Sequence, residues 1–135
     1  YAKGSYYAAT VFSGVKPGMR IEQEEIFGPV ISVIKVKSYE EAISVANGVE
    51  YGLSAGFISK DVNLCHKASV DLDCGLCYIN AGSTGAEVST PFGGWKNTGN
   101  GHREGGPTVI DAFSELKTVV IDYSGKVQKA QIDNN

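Results

Sequence analysis

Glu24-Glu25-Ile26-Phe27-Gly28-Pro29-Val30-Ile31-Ser32-Val33-Ile34-Lys35-Val36-Lys37-Ser38-Tyr39-Glu40-Glu41 decides the fold. In one stretch it joins an acidic turn, a Gly-Pro bend, an apolar run and a helix start. Val30, Ile31, Val33, Ile34 and Val36 make residues 29–36 nearly continuous in apolar character, the pattern of a strand covered on both faces. Ser38 stands three residues before Glu41, which makes a capping box. Ala42, Ile43, Ala46 and Val49 follow at helical spacing. Gly48 and Gly52 end that segment and turn the chain. A buried strand feeding an amphipathic helix is the building unit of an α/β fold.

The pattern repeats outward from this stretch. Residues 6–12 are rich in aromatic and β-branched side chains and predict a strand, broken by Gly14 and Pro17-Gly18. Residues 53–59 predict a second buried strand. Asp61 is placed to cap a helix whose Cys65, Ala68 and Leu72 share one face. Gly75 turns the chain into Leu76-Cys77-Tyr78-Ile79, a short strand in which Cys77 is expected to be buried. Residues 80–106 carry no periodic pattern, and loops of that length in compact domains are usually functional. Pro107 suits the first turn of a helix carried by Val109, Ile110 and Phe113. Residues 117–123 predict a closing strand, and residues 124–135 a polar tail. The order β-β-α-β-α-β-loop-α-β predicts one α/β domain, with a largely parallel sheet flanked by helices.

Composition narrows the classes of function. The chain has 135 residues and a net charge of -3, with its basic residues scattered, which argues against a nucleic-acid partner. No apolar run approaches the roughly 20 residues of a membrane span. Three cysteines and no visible leader predict reduced thiols and a cytoplasmic location. With 42% hydrophobic residues the chain is expected to fold rather than stay disordered. It starts at Tyr1, in sequence that already reads as mid-domain, so a fragment, a processed chain or a trimmed piece is expected.

Glu25 and Phe27 are the first candidate site. A carboxylate beside a Gly-Pro bend can accept hydrogen bonds from two neighbouring sugar hydroxyls. If the segment is extended, Phe27 points to the same side and adds a flat apolar wall. The alternative is a solvated acidic turn of Glu22, Glu24 and Glu25, with Phe27 in the core.

Other motifs fail on inspection. Gly94 and Gly99 have P-loop spacing, but Asn100 and Gly101 stand where Lys and Ser or Thr belong. Gly99-Asn100-Gly101 begins a dinucleotide fingerprint, but Glu104 takes the place of its third glycine. Cys74-Gly75-Leu76-Cys77 has thioredoxin-like spacing, but runs into a strand instead of the helix N-terminus that would lower a thiol pKa. His66 and His102 show no ligand pattern, so no metal site is expected.

Glu25-Ile26-Phe27-Gly28-Pro29 and Pro91-Phe92-Gly93-Gly94-Trp95-Lys96, the latter continuing to Gly99, together resemble two signatures of the aldehyde dehydrogenase superfamily. The resemblance runs from about residue 6 to residue 123, with the elements in the family's order. It implies that residues 1–123 are the C-terminal part of a catalytic domain, with 117–123 as an oligomerisation-type strand. Through it, Glu25 is expected to hold the ribose of a nicotinamide cofactor, NAD or NADP, with Phe27 beside the nicotinamide. Phe92 is expected to line the aldehyde tunnel. Residues 80–87 resemble the substrate loop of semialdehyde dehydrogenases, in which Ser83 and Thr84 would hold a distal carboxylate. A Gly-rich turn without a ligand is the alternative there. Asn80 is expected to tie the end of its strand to a neighbouring loop.

The chain departs from the family at His102, inserted before Arg103-Glu104, which are expected to pin the glycine loop by an ion pair. In the family the thiolate nucleophile sits in a Gly-Gln-x-Cys context and the general base in a Glu-Leu-Gly-Gly context. Neither occurs here, so no catalytic residue is assigned. The implied function is a C-terminal fragment of an NAD(P)-dependent dehydrogenase of aldehydes or semialdehydes, inactive alone. Its implied partners are further copies of itself or the N-terminal part of such an enzyme. A noncatalytic oligomerisation or interaction module is the alternative.

Overall fold

A computed structural model describes residues 3–126. The elements in chain order are β1 (Thr10–Ser13), α1 (Arg20–Gln23), β2 (Val30–Val33), α2 (Tyr39–Asn47), β3 (Tyr51–Gly52), β4 (Ser54–Phe57), α3 (Val62–Asp71), β5 (Leu76–Ile79), β6 (Trp95–Lys96) and α4 (Val109–Ala112). The α/β class and the parallel pairing are as expected. Instead of one sheet, however, the described strands form three two-stranded ladders. β1 runs parallel to β2, with Thr10 opposite Val30, and β4 runs parallel to β5, with Ser54 opposite Leu76. β3 and β6 pair antiparallel, Tyr51 opposite Lys96.

Most predicted elements form, but several are shorter than expected. β1 begins at Thr10 rather than residue 6, because its partner strand begins there: the Thr10 amide donates to the Pro29 carbonyl at 2.9 Å. β2 ends at Val33, and it is not covered on both faces. Ile31 and Val33 are exposed because no described element packs over them. Val49 lies beyond the end of α2. Residues 117–123 form no ladder among the described residues, since no neighbouring strand offers them one, and Val119, Val120 and Ile121 are exposed.

Local signals explain where the helices begin. The Ser38 hydroxyl accepts from the Glu41 amide at 3.1 Å, and the Glu41 carboxylate accepts in return from the Lys37 amide at 2.7 Å. The capping box therefore closes one residue before its usual place. Asp61 accepts from the Asn63 and Leu64 amides at 2.8 and 3.3 Å.

The core lies between α2, α3, β4 and β5. Ala68, fully buried, and Leu72 and Cys74 form its centre, with Tyr39, Ile43, Ala55, Phe57 and Ile79 packed around them. Asn47, the last residue of α2, ties the two helix ends together. Its side-chain amide donates to the Asp71 carbonyl at 2.7 Å, and its oxygen accepts from the Asp73 amide at 2.9 Å. Tyr39 adds a second tie, donating to the Asp71 carboxylate at 2.9 Å. Its ring meets Phe57 edge-on, centroids 5.8 Å apart, with the Lys67 ammonium 4.3 Å from its centre.

This core is small for the chain. The accessible surface is 11484 Å², whereas a compact monomer of this mass exposes about 6,800 Å². The excess is partly apolar: Val11 and Ile31 on the β1–β2 ladder and Val119–Ile121 near the end are among the exposed side chains. Patches of this kind mark surfaces of association.

Tyr39 makes the core sensitive to alkali. Partial burial, then the hydrogen bond to Asp71 and the charge of that carboxylate, push its pKa from about 10 up to about 12. A raised folded-state pKa adds stability that is complete below about pH 10 and lost as pH rises through about 12. The melting temperature of the wild type should therefore fall more steeply across that window than that of Tyr39→Phe. Parallel curves for the two proteins, followed by circular dichroism, would contradict this.

Candidate functional site

The acidic turn separates into engaged and unengaged carboxylates. Glu22 accepts from the Gly18 amide at 2.9 Å and from the Gln23 side chain at 2.7 Å. Glu24 pairs with Arg20 at 2.7 Å, one helical turn away. Glu25 has no hydrogen-bond or ion-pair partner among the described residues. It lines a cleft of about 500 Å³ with Asn47, Tyr51, Leu53, Asp73 and Thr98. Its oxygens are free to accept from a polyhydroxyl ligand entering that cleft.

Phe27 behaves differently from the expectation. Its φ is 55°, so the backbone is left-handed at that residue and the strand-like alternation that would align it with Glu25 does not apply. The ring is 91% exposed, outside the core and outside the cleft that Glu25 lines. A bulky side chain in this backbone region is strained, and such strain gathers at functional positions.

Phe92 lies in a neighbouring cleft of about 360 Å³, with Leu53, Thr98, Arg103 and Phe113. Leu53 and Thr98 line both this cleft and that of Glu25. The two signatures, distant in sequence, thus meet across a common wall. Phe92 is held by a two-way backbone bridge with Glu104, at 2.5 and 2.7 Å. Arg103 does not make the expected ion pair with Glu104. Instead its guanidinium donates to the Gly101 and His102 carbonyls at 3.1 and 3.2 Å, because the backbone turn presents those oxygens to it.

Within the second signature, Gly93 and the more distant Gly75 permit a close crossing of two backbones. A Cβ on Gly75 would stand 1.7 Å from the Gly93 carbonyl oxygen. Lys96 donates to the Asn47 and Val49 carbonyls at 2.8 and 3.2 Å and lies 3.9 Å from Asp73. Its cation therefore sits on the carbonyl end of α2, where a positive charge is favoured. The Thr98 hydroxyl accepts from the Gly52 amide at 3.0 Å. The second signature included Lys96, but no spacing rule in the sequence singled out Asn47, Asp73 and Thr98, because the contacts that join them span distant segments.

The loop after β5 forms a third cleft of about 630 Å³, lined by Cys77, Tyr78, Thr84, Glu87 and Thr90. Ser83 is exposed beside it and does not line it. Among the described residues Glu87 is the charged one of the lining, and no basic side chain contributes. The Tyr78 hydroxyl donates to the Gly85 carbonyl and fixes the loop. Asn80 acts as expected: its side-chain oxygen accepts from the Ser59 amide at 2.9 Å, while its backbone N–H donates to the Phe57 carbonyl at 2.8 Å.

Of the cysteines, Cys65 and Cys74 are buried, while Cys77 is exposed, contrary to expectation. Cys77 stands beside Ala55 of β4, at the margin of the core rather than within it. Burial, then the neighbouring Cys77, push the Cys74 thiol pKa upward, opposite to the activation a thioredoxin-type pair needs. His66 and His102 line separate clefts. Among the described residues, no group of three or more His, Cys, Asp and Glu side chains is placed to hold a metal, and no helix is long and apolar enough to cross a membrane.

The profile of the Aldehyde dehydrogenase family matches residues 1–119, and the chain belongs to that family. An alpha-ketoglutaric semialdehyde dehydrogenase from Bacillus subtilis (strain 168) is 43% identical over 121 residues, covering 90% of this chain and 25% of the relative. The crystal structure of an NAD-dependent aldehyde dehydrogenase from Sinorhizobium meliloti superposes with a TM-score of 0.86 at 37% identity, covering 94% of this chain and 25% of that one. A salicylaldehyde dehydrogenase from Pseudomonas putida G7, complexed with salicylaldehyde, gives 0.86 at 40% identity, with coverages of 93% and 26%. The chain thus spans about a quarter of the length of these relatives.

The backbone crossing yields a stability test. Gly75→Ala forces the two segments apart and should cost roughly 1–3 kcal/mol. Gly28→Ala, whose Cβ would meet only Ile26 at 3.9 Å, should change stability by less than about 0.5 kcal/mol. Urea unfolding midpoints measure both, and equal midpoints would mean the crossing is not tight in solution.

Proposed function

We propose that this chain is the part of an NAD(P)-dependent aldehyde dehydrogenase that contacts the nicotinamide ribose and one wall of the aldehyde channel. One observation carries the reading: of Glu22, Glu24 and Glu25, Glu25 alone has no partner among the described residues while lining a cleft. Charge-assisted bonds from two ribose hydroxyls fit such a group. Phe27, held outward, would pack beside the nicotinamide, and Phe92 would line the channel across the Leu53–Thr98 wall. When bound, the coenzyme supplies the hydride acceptor; the residues of this chain orient it and shape the aldehyde's approach.

NAD is the cofactor named for the Sinorhizobium meliloti relative and is our first choice. Thr84, with Ser83 beside it, would contact the far end of the aldehyde. Glu87 in the same cleft weighs against a carboxylate there and favours a neutral end. Reduced thiols fit a cytoplasmic enzyme. The chain lacks the nucleophile and general-base contexts, so alone it should produce no NADH or NADPH from aldehydes.

The exposed apolar surface favours a second reading, a noncatalytic module that associates with its own copies through residues 117–123. Sedimentation distinguishes the two: a stable homo-oligomer without cofactor affinity supports the module.

The main test transplants residues 6–123 into the corresponding segment of the Bacillus subtilis relative. In an active chimera, Glu25→Gln should raise the KM for the nicotinamide cofactor roughly ten- to hundredfold, the loss of a hydrogen bond to a charged group. The aldehyde KM should stay near its starting value. Phe92→Ala should do the reverse. Unchanged cofactor kinetics in the Glu25 variant would remove the basis of the assignment.

A further inference from the structure

Lys96 is outside the linings of the Glu25 and Phe92 clefts, yet the partners of its side chain among the described residues all line the first of them. Its ammonium donates to the Asn47 and Val49 carbonyls at 2.8 and 3.2 Å and stands 3.9 Å from the Asp73 carboxylate. Asn47, Val49 and Asp73 are lining residues of the Glu25 cleft. So are the next two residues along the chain, Asn97 and Thr98. One cation outside the cleft thus joins two parts of its wall that come from distant segments.

The backbone at Lys96 is an independent sign. The Thr98 amide donates to the Trp95 carbonyl at 3.1 Å, which makes Lys96 the second residue of a tight turn. Its φ is 53°, in the left-handed region that glycine enters without steric cost and a side chain does not. Lysine holds a position whose turn chemistry favours glycine. Its side chain supplies what glycine lacks, a link from the turn to the end of α2, and only 24% of that side chain is exposed. The turn also sets the two lining residues that follow it. The Asn97 amide donates to the Glu50 carbonyl at 3.0 Å, and the Thr98 hydroxyl accepts from the Gly52 amide at 3.0 Å. These bonds fix the turn against β3, whereas the lysine side chain bonds it to α2.

We propose that Lys96 is a positioning residue for the Glu25 cleft: by clamping the end of α2 to the turn at residues 95–98, it sets the spacing of the walls between which the nicotinamide ribose binds. The inference rests on the reading of Glu25 given above. Lys96 does not touch the coenzyme; it acts through Asn47, Asp73 and Thr98. Of the lining residues it bonds or precedes, Thr98 alone also lines the Phe92 cleft, so the cofactor side depends on Lys96 more than the aldehyde side does.

The test has two arms. The first uses the 135-residue chain, whose one tryptophan, Trp95, sits in the turn. Lys96→Met, which keeps the length and removes the charge, should shift Trp95 emission to the red and increase its quenching by acrylamide, with the circular dichroism spectrum unchanged. Lys96→Arg, which keeps the charge and the donors, should stay near the wild type. If Lys96→Met does not fold, Lys96→Gln, shorter and uncharged, takes its place under the same criteria. Unaltered Trp95 signals in the uncharged variant would overturn the proposal, whatever becomes of the reading of Glu25. The second arm uses the active chimera. There Lys96→Met should raise the cofactor KM roughly tenfold, since small misplacements of binding groups are costly. The kcat and the aldehyde KM should stay within about twofold of the parent, and Lys96→Arg should recover most of the loss. A lysine that only stabilises the helix end would lower the melting temperature and leave these constants unchanged well below it, and that result overturns the proposal. So does an aldehyde KM that rises as much as the cofactor KM. An unchanged cofactor KM in Glu25→Gln, beside the expected Trp95 response, would instead remove the ribose reading and support the clamp.

Discussion

The ends of α2 and α3 are held by one side chain, and the rest of the molecule is arranged around that tie. Asn47 donates to Asp71 and accepts from Asp73, so the chain leaves both helices in fixed directions. Lys96 then arrives from the second signature and places its ammonium on the carbonyls of Asn47 and Val49. Buried or half-buried backbone carbonyls at a helix end need partners. Here one lysine supplies them and in doing so anchors a distant glycine-rich loop. Asn47 and Asp73 of this junction line the Glu25 cleft, which shares Leu53 and Thr98 with the cleft of Phe92.

Backbone proximity, more than side-chain packing, shapes the region. Gly75 and Gly93 cross without side chains between them, the Thr98 hydroxyl accepts from the Gly52 amide, and Phe92 and Glu104 exchange two backbone hydrogen bonds. A loop without internal periodicity thus acquires a defined course from a few contacts to β3 and its surroundings. This explains how signatures far apart in sequence can form adjacent clefts.

Helix starts were legible in the sequence because their causes are local. Ser38, Glu41 and Asp61 cap within a few residues of themselves, and Cys65, Ala68 and Leu72 share a face by simple periodicity. Asn80 was legible as a tie for a similar reason, at the end of a clear strand. Strand extents were not legible, since a strand is as long as its partner allows: residues 6–12 and 117–123 have strand-like composition but limited or no pairing among the described residues. The side to which Phe27 points depended on a single left-handed residue, which no alternation rule anticipates. Cys77 was misjudged because the apolar character of a strand does not tell how far along it the core extends.

Leu53 and Thr98 form a party wall between two cavities. Occupants on its two sides would touch the same two residues, so filling one cavity would change the free energy of filling the other. Such coupling is reciprocal: whatever factor the first occupant imposes on the affinity of the second, the second imposes on the first.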